Sequence, residues 1–212
     1  MNKLISKHFR VIAAIVALSF CVFAQSCKSS GNGGGVFGPS DETADAAKLV
    51  AEANEDLTKI KKLYSENEGD DEKPGKRAQL KKALEENNAE QVKKISDEVV
   101  YIINDGMDFA KAGIDKVQRA QDMNVNDDYK EYLRLKELAL SKQVEAFEQY
   151  RQAARALRDN YDPKNEQLRA KVKVEFDQRS DKYRELMEKA RDYSSEANEI
   201  AKDAMRRQAQ GQ

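Results

Sequence analysis

The chain has 212 residues, enough for one domain or two small ones. Charged residues make up 35% of it and aromatic residues only 7%, with three prolines and no tryptophan. This composition favours long helices with narrow apolar faces and argues against a thick layered core. Acidic and basic residues nearly balance at a net charge of −1, so no broad attraction to nucleic acid is expected.

The first 26 residues have the pattern of an export signal. Lys3, Lys7 and Arg10 give a positive start, and an apolar run follows over residues 11–24. A run of this length fits the apolar part of a signal peptide and is shorter than the roughly 20 residues of a transmembrane helix. Removal of this segment, which contains no acidic residue, would leave 34 basic and 38 acidic side chains.

The end of the apolar run carries a motif with a cysteine at its last position. Its residues are Ala24, Gln25, Ser26 and Cys27. The motif resembles the lipobox of bacterial lipoproteins, in which the cysteine thiol receives a diacylglycerol before cleavage. The resemblance implies lipid attachment at Cys27 and anchoring to a bacterial membrane.

Two alternatives to lipidation at Cys27 are open. Cys21 is a second cysteine, although bulky Phe20 precedes it inside the apolar run. An ordinary secretory signal would instead leave Cys27 as a free thiol, a liability in an oxidising compartment. If Cys27 is lipidated, Lys28 in place of an aspartate favours the outer membrane over the inner one in enteric-type sorting.

A flexible tether is expected between the lipid and the rest of the chain. Residues 28–40 contain five glycines and three serines with almost no apolar side chains. Such a segment behaves as a coil with a root-mean-square reach of roughly 20 Å. The sequence therefore divides into a signal peptide at 1–26, a lipidated cysteine with its tether at 27–40, and a body at 41–210.

The body has the apolar spacing of long helices. Apolar residues recur three and four positions apart, first at Ala46, Val50, Ala53, Leu57 and Ile60 and then at Tyr64. A cap at Ser40 and Asp41, a break over 67–75 and a cap at Asn88 help to delimit helices at about 41–66, 76–86, 89–123, 127–161 and 164–208. Short connections make neighbours antiparallel, so the sequence predicts an all-α fold, an elongated up-and-down helical bundle with coiled-coil-like pairs.

Three positions on these apolar faces hold unusual residues. Gly106 and Gly113 lie on one face of the third helix, where a close approach by a neighbouring helix would explain both. The alternative is a kink that opens a small-ligand pocket beside Phe109. Arg179 occupies an apolar position of the last helix, which predicts that it extends to solvent or pairs with a carboxylate on a neighbouring helix.

Residues for common catalytic chemistry are missing from the body. The one histidine, His8, lies in the signal peptide, and a lipid at Cys27 would leave the mature chain no free thiol. Histidine-based metal sites, Ser-His-Asp triads and thiolate nucleophiles are therefore not expected, and neither is any cofactor. The carboxylates fall mostly outside the apolar faces, so the sequence predicts a protein that is not an enzyme.

The sequence thus predicts an envelope lipoprotein that serves as a helical scaffold or protein-interaction module, with its body in the periplasm or at the cell surface. Its partners would be the membrane, through the lipid, and another protein or a second copy of itself. Two alternatives are a surface-displayed adhesin or ligand-binding lipoprotein, a plan that resembles spirochaete surface lipoproteins, and a carrier of a small apolar ligand beside Gly106 and Gly113.

Overall fold

A computed structural model describes residues 42–69 and 73–210, and this part of the chain is built from helices. The helices are α1 (Thr43–Glu68), α2 (Lys76–Glu85), α3 (Ala89–Gln121), α4 (Asp127–Asn160) and α5 (Glu166–Ala209). Each begins and ends within two residues of the limits expected from the sequence. The all-α bundle is confirmed. The signal peptide, Cys27, the tether and the cap expected at Ser40 and Asp41 lie outside the described residues.

Asparagine side chains mark the starts of three helices. Those of Asn88, Asn126 and Asn165 accept hydrogen bonds from the backbone N–H three residues further on, at 3.1, 2.8 and 3.0 Å. These bonds satisfy donors that a helix leaves free at its first turn. The helix α1 differs, because it begins after Glu42, whose side chain forms no capping hydrogen bond.

The helices α1 and α2 lie along α3 as one interrupted antiparallel helix. Lys116 on α3 pairs with Asp56 on α1, and Lys76 on α2 lies 2.5 Å from Glu98 nearer the start of α3. The interruption between them folds back on itself, since Gly69 and Pro74 form a short antiparallel bridge. This break therefore lets α2 resume the course of α1 along the same neighbour.

The core lies where α1, α3 and α4 meet. Fully buried side chains from each helix line it, and they include Ile60, Val92, Val99, Val117, Leu133 and Leu140. The three-and-four spacing of the sequence predicts an apolar face on α3 with Val92, Val99, Ile102, Phe109 and Val117, and one on α4 with Leu133 and Leu140. Of these, Ile102 and Phe109 are only partly buried. The residues of α5 join this cluster through Val172, Tyr183, Leu186 and Met187.

The long helix α5 packs mainly against α4 and runs antiparallel to it. Arg207 near the end of α5 pairs with Asp128 near the start of α4, and Arg179 donates to the side-chain oxygen of Gln152. Arg179 also forms an ion pair with Glu175 of its own helix, with 2.9 Å between the guanidinium nitrogen and the carboxylate oxygen. The sequence predicts that Arg179 extends to solvent or pairs with a carboxylate of a neighbouring helix. The neighbouring helix α4 instead provides side-chain amide oxygens as acceptors.

Gly69 is expected to be indispensable to the break, because its φ of 77° lies in the left-handed region and its backbone closely approaches Gly75. A Cβ at this position would overlap the backbone nitrogen of Gly75. We predict that Gly69→Ala lowers the free energy of unfolding by more than about 1 kcal/mol, measured by urea denaturation.

Gly113→Ala is the matched control for Gly69→Ala. A Cβ on Gly113 would lie 3.8 Å from the carbonyl oxygen of Ala53, an ordinary contact, within a regular helix. This variant should keep or gain stability, by up to about 1 kcal/mol, from the better helix propensity of alanine. Equal stability of Gly69→Ala and the parent chain would contradict the requirement for a left-handed residue.

Candidate functional site

A cavity lies between α1, α3 and α4, beside the break that ends α1. It has a volume of about 30 Å³, which is room for about two water molecules. Its apolar lining comes from all three helices and includes Ile60, Leu63, Ile102, Ile103, Phe147 and Tyr150. The ring of Tyr150 packs against the ring of Tyr183 on α5, with ring centroids 5.9 Å apart. The cavity is therefore held by the packing of four helices.

Asn67 is the polar side chain in this apolar lining. Only 3% of the residue is exposed, and its Oδ1 atom has no hydrogen-bond partner in the part of the chain that the structure describes. The sequence assigned Asn67 to the break, but α1 continues through Glu68 and carries Asn67 in its last turn. A buried acceptor without a donor is unfavourable, so its presence in a cavity calls for a physical reason.

Gly106 of α3 also lines this cavity. No atom of the described residues outside its own helical backbone would lie within 4 Å of a Cβ added there. The interpretation of a close helix approach is therefore wrong for Gly106. It does not explain Gly113 either, because a Cβ there would make only an ordinary contact, 3.8 Å from the carbonyl oxygen of Ala53. The pocket alternative named Phe109 as its neighbour, whereas Phe147 and Tyr150 lie beside Gly106 and Phe109 packs under the Lys59 ammonium group, 5.0 Å from the ring centroid.

Asp56 is a buried carboxylate that joins α1 to α3. Burial alone would raise the pKa of its carboxyl group, but hydrogen bonds from Lys116 and Lys59 outweigh burial and hold that pKa below its ordinary value. The Lys59 nitrogen lies 2.7 Å from one oxygen and Lys116 binds the other. Both oxygens are occupied, so this site positions two helices rather than offering a free acid or base.

Lys136 on α4 is a buried amine in a second, smaller apolar space. It donates a hydrogen bond to Oδ1 of Asn54 at 3.3 Å and lies 5.2 Å above the ring of Tyr132. Burial lowers the pKa of the Lys136 ammonium group to about 8. The nearby Tyr129 stacks on Tyr132, and burial raises the pKa of its hydroxyl group, so Tyr129 stays neutral wherever Lys136 titrates.

The apolar spacing of the sequence could have identified both Asn67 and Lys136. On α1 the spacing of three and four runs to residue 64, and the next position in that series is Asn67. On α4 the expected series passes from Leu133 to Leu140, and the position between them is Lys136. A polar residue at an apolar position was the signal in each case.

The pKa of Lys136 predicts a stability change in mildly alkaline solution. Between about pH 8 and 10.5 the unfolded chain holds a proton on Lys136 that the folded chain has released, so stability rises with pH across this window. The rise should be on the order of 3 kcal/mol and should be absent in Lys136→Met, which should also be the more stable chain at pH 7.

Urea denaturation of both chains at pH 7, 8, 9 and 10 would measure this difference. Lys130→Met, at an exposed position of the same helix, is the matched control and should follow the parent chain. A parent chain and a Lys136→Met variant with parallel pH dependence would show that Lys136 is charged in the folded protein throughout this range.

Within residues 42–69 and 73–210 no group of three or more histidine, cysteine, aspartate or glutamate side chains is placed to hold a metal ion. None of the helices described here is both long and apolar enough to cross a membrane. Comparisons of the chain with protein-family models, with curated proteins and with solved structures found no match.

Proposed function

We propose that the protein is a lipid-anchored envelope lipoprotein whose helical body serves as a non-enzymatic scaffold for another protein. The anchor rests on the sequence, through the signal peptide and Cys27. The scaffold role rests on the pairing of α5, which packs mainly against a single neighbour. A helix of 44 residues, about 66 Å long, thereby keeps one flank available along its length.

The flank of α5 carries charges together with a few apolar side chains. Val174 is 56% exposed and Met205 39% exposed, at opposite ends of the helix. Between them, charged residues form pairs within the helix, such as Lys182 and Lys189 with Glu185. A long, mainly polar flank with isolated apolar side chains suits a reversible protein contact better than a permanent core.

The position of Glu42 supports an anchor at one end of the bundle. Its carboxylate accepts a hydrogen bond from the backbone N–H of Asn124, in the connection between α3 and α4. The same end holds the pair of Arg207 and Asp128. A tether attached there would leave the turn at Asn87, at the far end of the 33-residue α3, about 50 Å further out.

Substitution of Cys27 tests the anchor. Expressed in a bacterium that processes lipoproteins, the parent chain should begin at residue 27, carry acyl mass and pellet with membranes, whereas Cys27→Ala should lose all three properties. Intact mass spectrometry and membrane fractionation measure them. Cys21→Ala is the matched control and should behave as the parent chain does.

Two results would overturn the assignment of the anchor. If Cys21→Ala abolishes acylation and Cys27→Ala does not, the lipid is attached at Cys21. If both variants and the parent chain stay unacylated and soluble after cleavage, the chain is a free secreted bundle.

The scaffold proposal concerns a body in the periplasm, whereas the adhesin alternative needs display on the cell surface. Protease added to intact cells distinguishes them. Protection of the body, followed by cleavage once the outer membrane is permeabilised, supports the periplasmic scaffold. Cleavage on intact cells supports surface display.

A further inference from the structure

We propose that the start of α5 is a surface that binds anionic phospholipid bilayers. This surface, the basic patch, is formed by exposed residues of the connection from α4 and of the first turns of α5, namely Lys164, Arg169, Lys171, Lys173 and Val174. The affinity of the patch for anionic lipid does not depend on a lipid at Cys27. Which membrane the patch contacts in the cell rests on the proposed anchor.

The basic patch has an excess of positive charge in a chain whose acidic and basic residues nearly balance. Residues 164–174 contain four basic side chains and one acidic side chain, that of Glu166. All four basic side chains are exposed, and none forms an ion pair or a side-chain hydrogen bond with any residue that the structure describes. The fold therefore leaves the positive charge of the patch available to an anionic partner.

The basic side chains of α5 beyond the patch are compensated. Of the eight that follow Val174, seven pair with a carboxylate. Glu175 lies four residues after Lys171, at a spacing that allows an ion pair, but it binds Arg179 instead. Uncompensated positive charge is thus concentrated at the start of α5.

Val174 gives the patch an apolar group and favours a lipid surface as its partner. The residue is 56% exposed, whereas Val172, two positions earlier, is 3% exposed and packs on the bundle. Lys171 and Lys173 are exposed beside Val174 on the same turn of the helix. An apolar side chain among lysines suits a membrane interface, where the apolar group enters the bilayer and the ammonium groups bind lipid phosphates.

The patch lies at the end of the bundle that is remote from the proposed tether. The hydroxyl group of Tyr161, which leads into the connection to α5, lies 3.5 Å from Oδ1 of Asn87, in the turn before α3. This end is about 50 Å from the connection between α3 and α4, to which Glu42 binds. A body anchored beside Glu42 would therefore direct the patch toward a membrane other than the one that holds the lipid.

The end of the bundle beside Glu42 has the opposite charge. Residues 122–128, which connect α3 to α4, contain three acidic side chains and no basic one. Asp128 pairs with Arg207, and Asp122 and Asp127 are exposed. An anionic membrane repels this end and attracts the patch, so the two charges together orient the long axis of the body with the patch toward the lipid.

Vesicle capture tests the patch on the full, lipidated chain. The chain is inserted through its lipid into phosphatidylcholine vesicles, and dye-labelled vesicles of phosphatidylcholine, with or without phosphatidylglycerol, are then added. Labelled anionic vesicles should be captured and labelled neutral vesicles should not, and capture should weaken as the salt concentration rises. Co-sedimentation of the dye measures the capture.

Two charge-removing variants locate the site. Lys171→Gln with Lys173→Gln should weaken capture roughly 20-fold, since each lysine near an anionic surface contributes about fivefold. The matched control, Lys182→Gln with Lys189→Gln, removes two charges from the same helix that Glu185 compensates, and should capture as the parent chain does. Circular dichroism shows that each variant is folded.

Several outcomes would contradict the inference. Equal capture of neutral and anionic vesicles, or an equal effect of the patch variant and its control, would overturn it. Retention of the chain on immobilised polyglutamate without capture of anionic vesicles would overturn it in favour of an acidic protein as the partner.

Failure of the anchor is distinguishable from failure of the patch. A chain that does not enter the first, neutral vesicles contradicts the lipid anchor alone. Direct co-sedimentation of that chain with anionic vesicles then measures the patch, with the same variants and the same expected results.

Discussion

The helix α4 has to bury two of its faces at once, and the arrangement of the other helices depends on this. One face carries large side chains, including Leu133, Leu140 and Phe147, and these pack into the core that α1 and α3 share. The other face has Leu135 at one end and is otherwise made of small residues, all of them buried: Ala139, Ala146, Ala153 and Ala156. The position of Gln149 among them, in contact with Arg179, identifies α5 as the neighbour of this second face.

The two faces of α4 lead to two kinds of packing. Small residues at spacings of seven, such as Ala190, Ala197 and Ala204 on α5, let helix backbones approach closely over a long distance. Side chains of uneven size on the other face meet those of α1 and α3 and leave the cavity beside Gly106. The helix α5, which carries the proposed protein-binding flank, and the cavity thus lie on different faces of α4.

Apolar residues three and four positions apart recur over many turns, and this pattern predicts the helices. The same pattern predicts most of the residues that each helix buries. It does not predict which neighbour a face meets. The apolar spacing does not reveal the second face of α4, because alanine contributes weakly to that spacing, although Ala139, Ala146 and Ala153 repeat every seven residues. The sequence predicts the break after α1, but no residue pattern indicates that its two ends meet at Gly69 and Pro74.

The candidate site could be predicted only in part. Gly106 stood out on an apolar face, and the pocket alternative placed it beside a cavity, yet the aromatic residues around it come from α4 rather than from its own helix. A cavity among three helices depends on side chains far apart in the sequence, and no local pattern records it. The sequence pattern places Asn67 in the break because the charged and glycine-rich residues that follow it resemble a loop.

Hydrogen exchange on Ala153→Leu would test the two-faced role of α4 most directly. Ala153 is 1% exposed and lies between the α5-facing positions of Gln149 and Ala156, so a leucine there should push α5 away. The account predicts that amides of α5 lose protection while those of α1 and α3 keep it, and that Ala112→Leu, at an exposed position of α3, changes neither. Equal loss of protection in α1, α3 and α5 would contradict it, since α5 would then be part of one indivisible core.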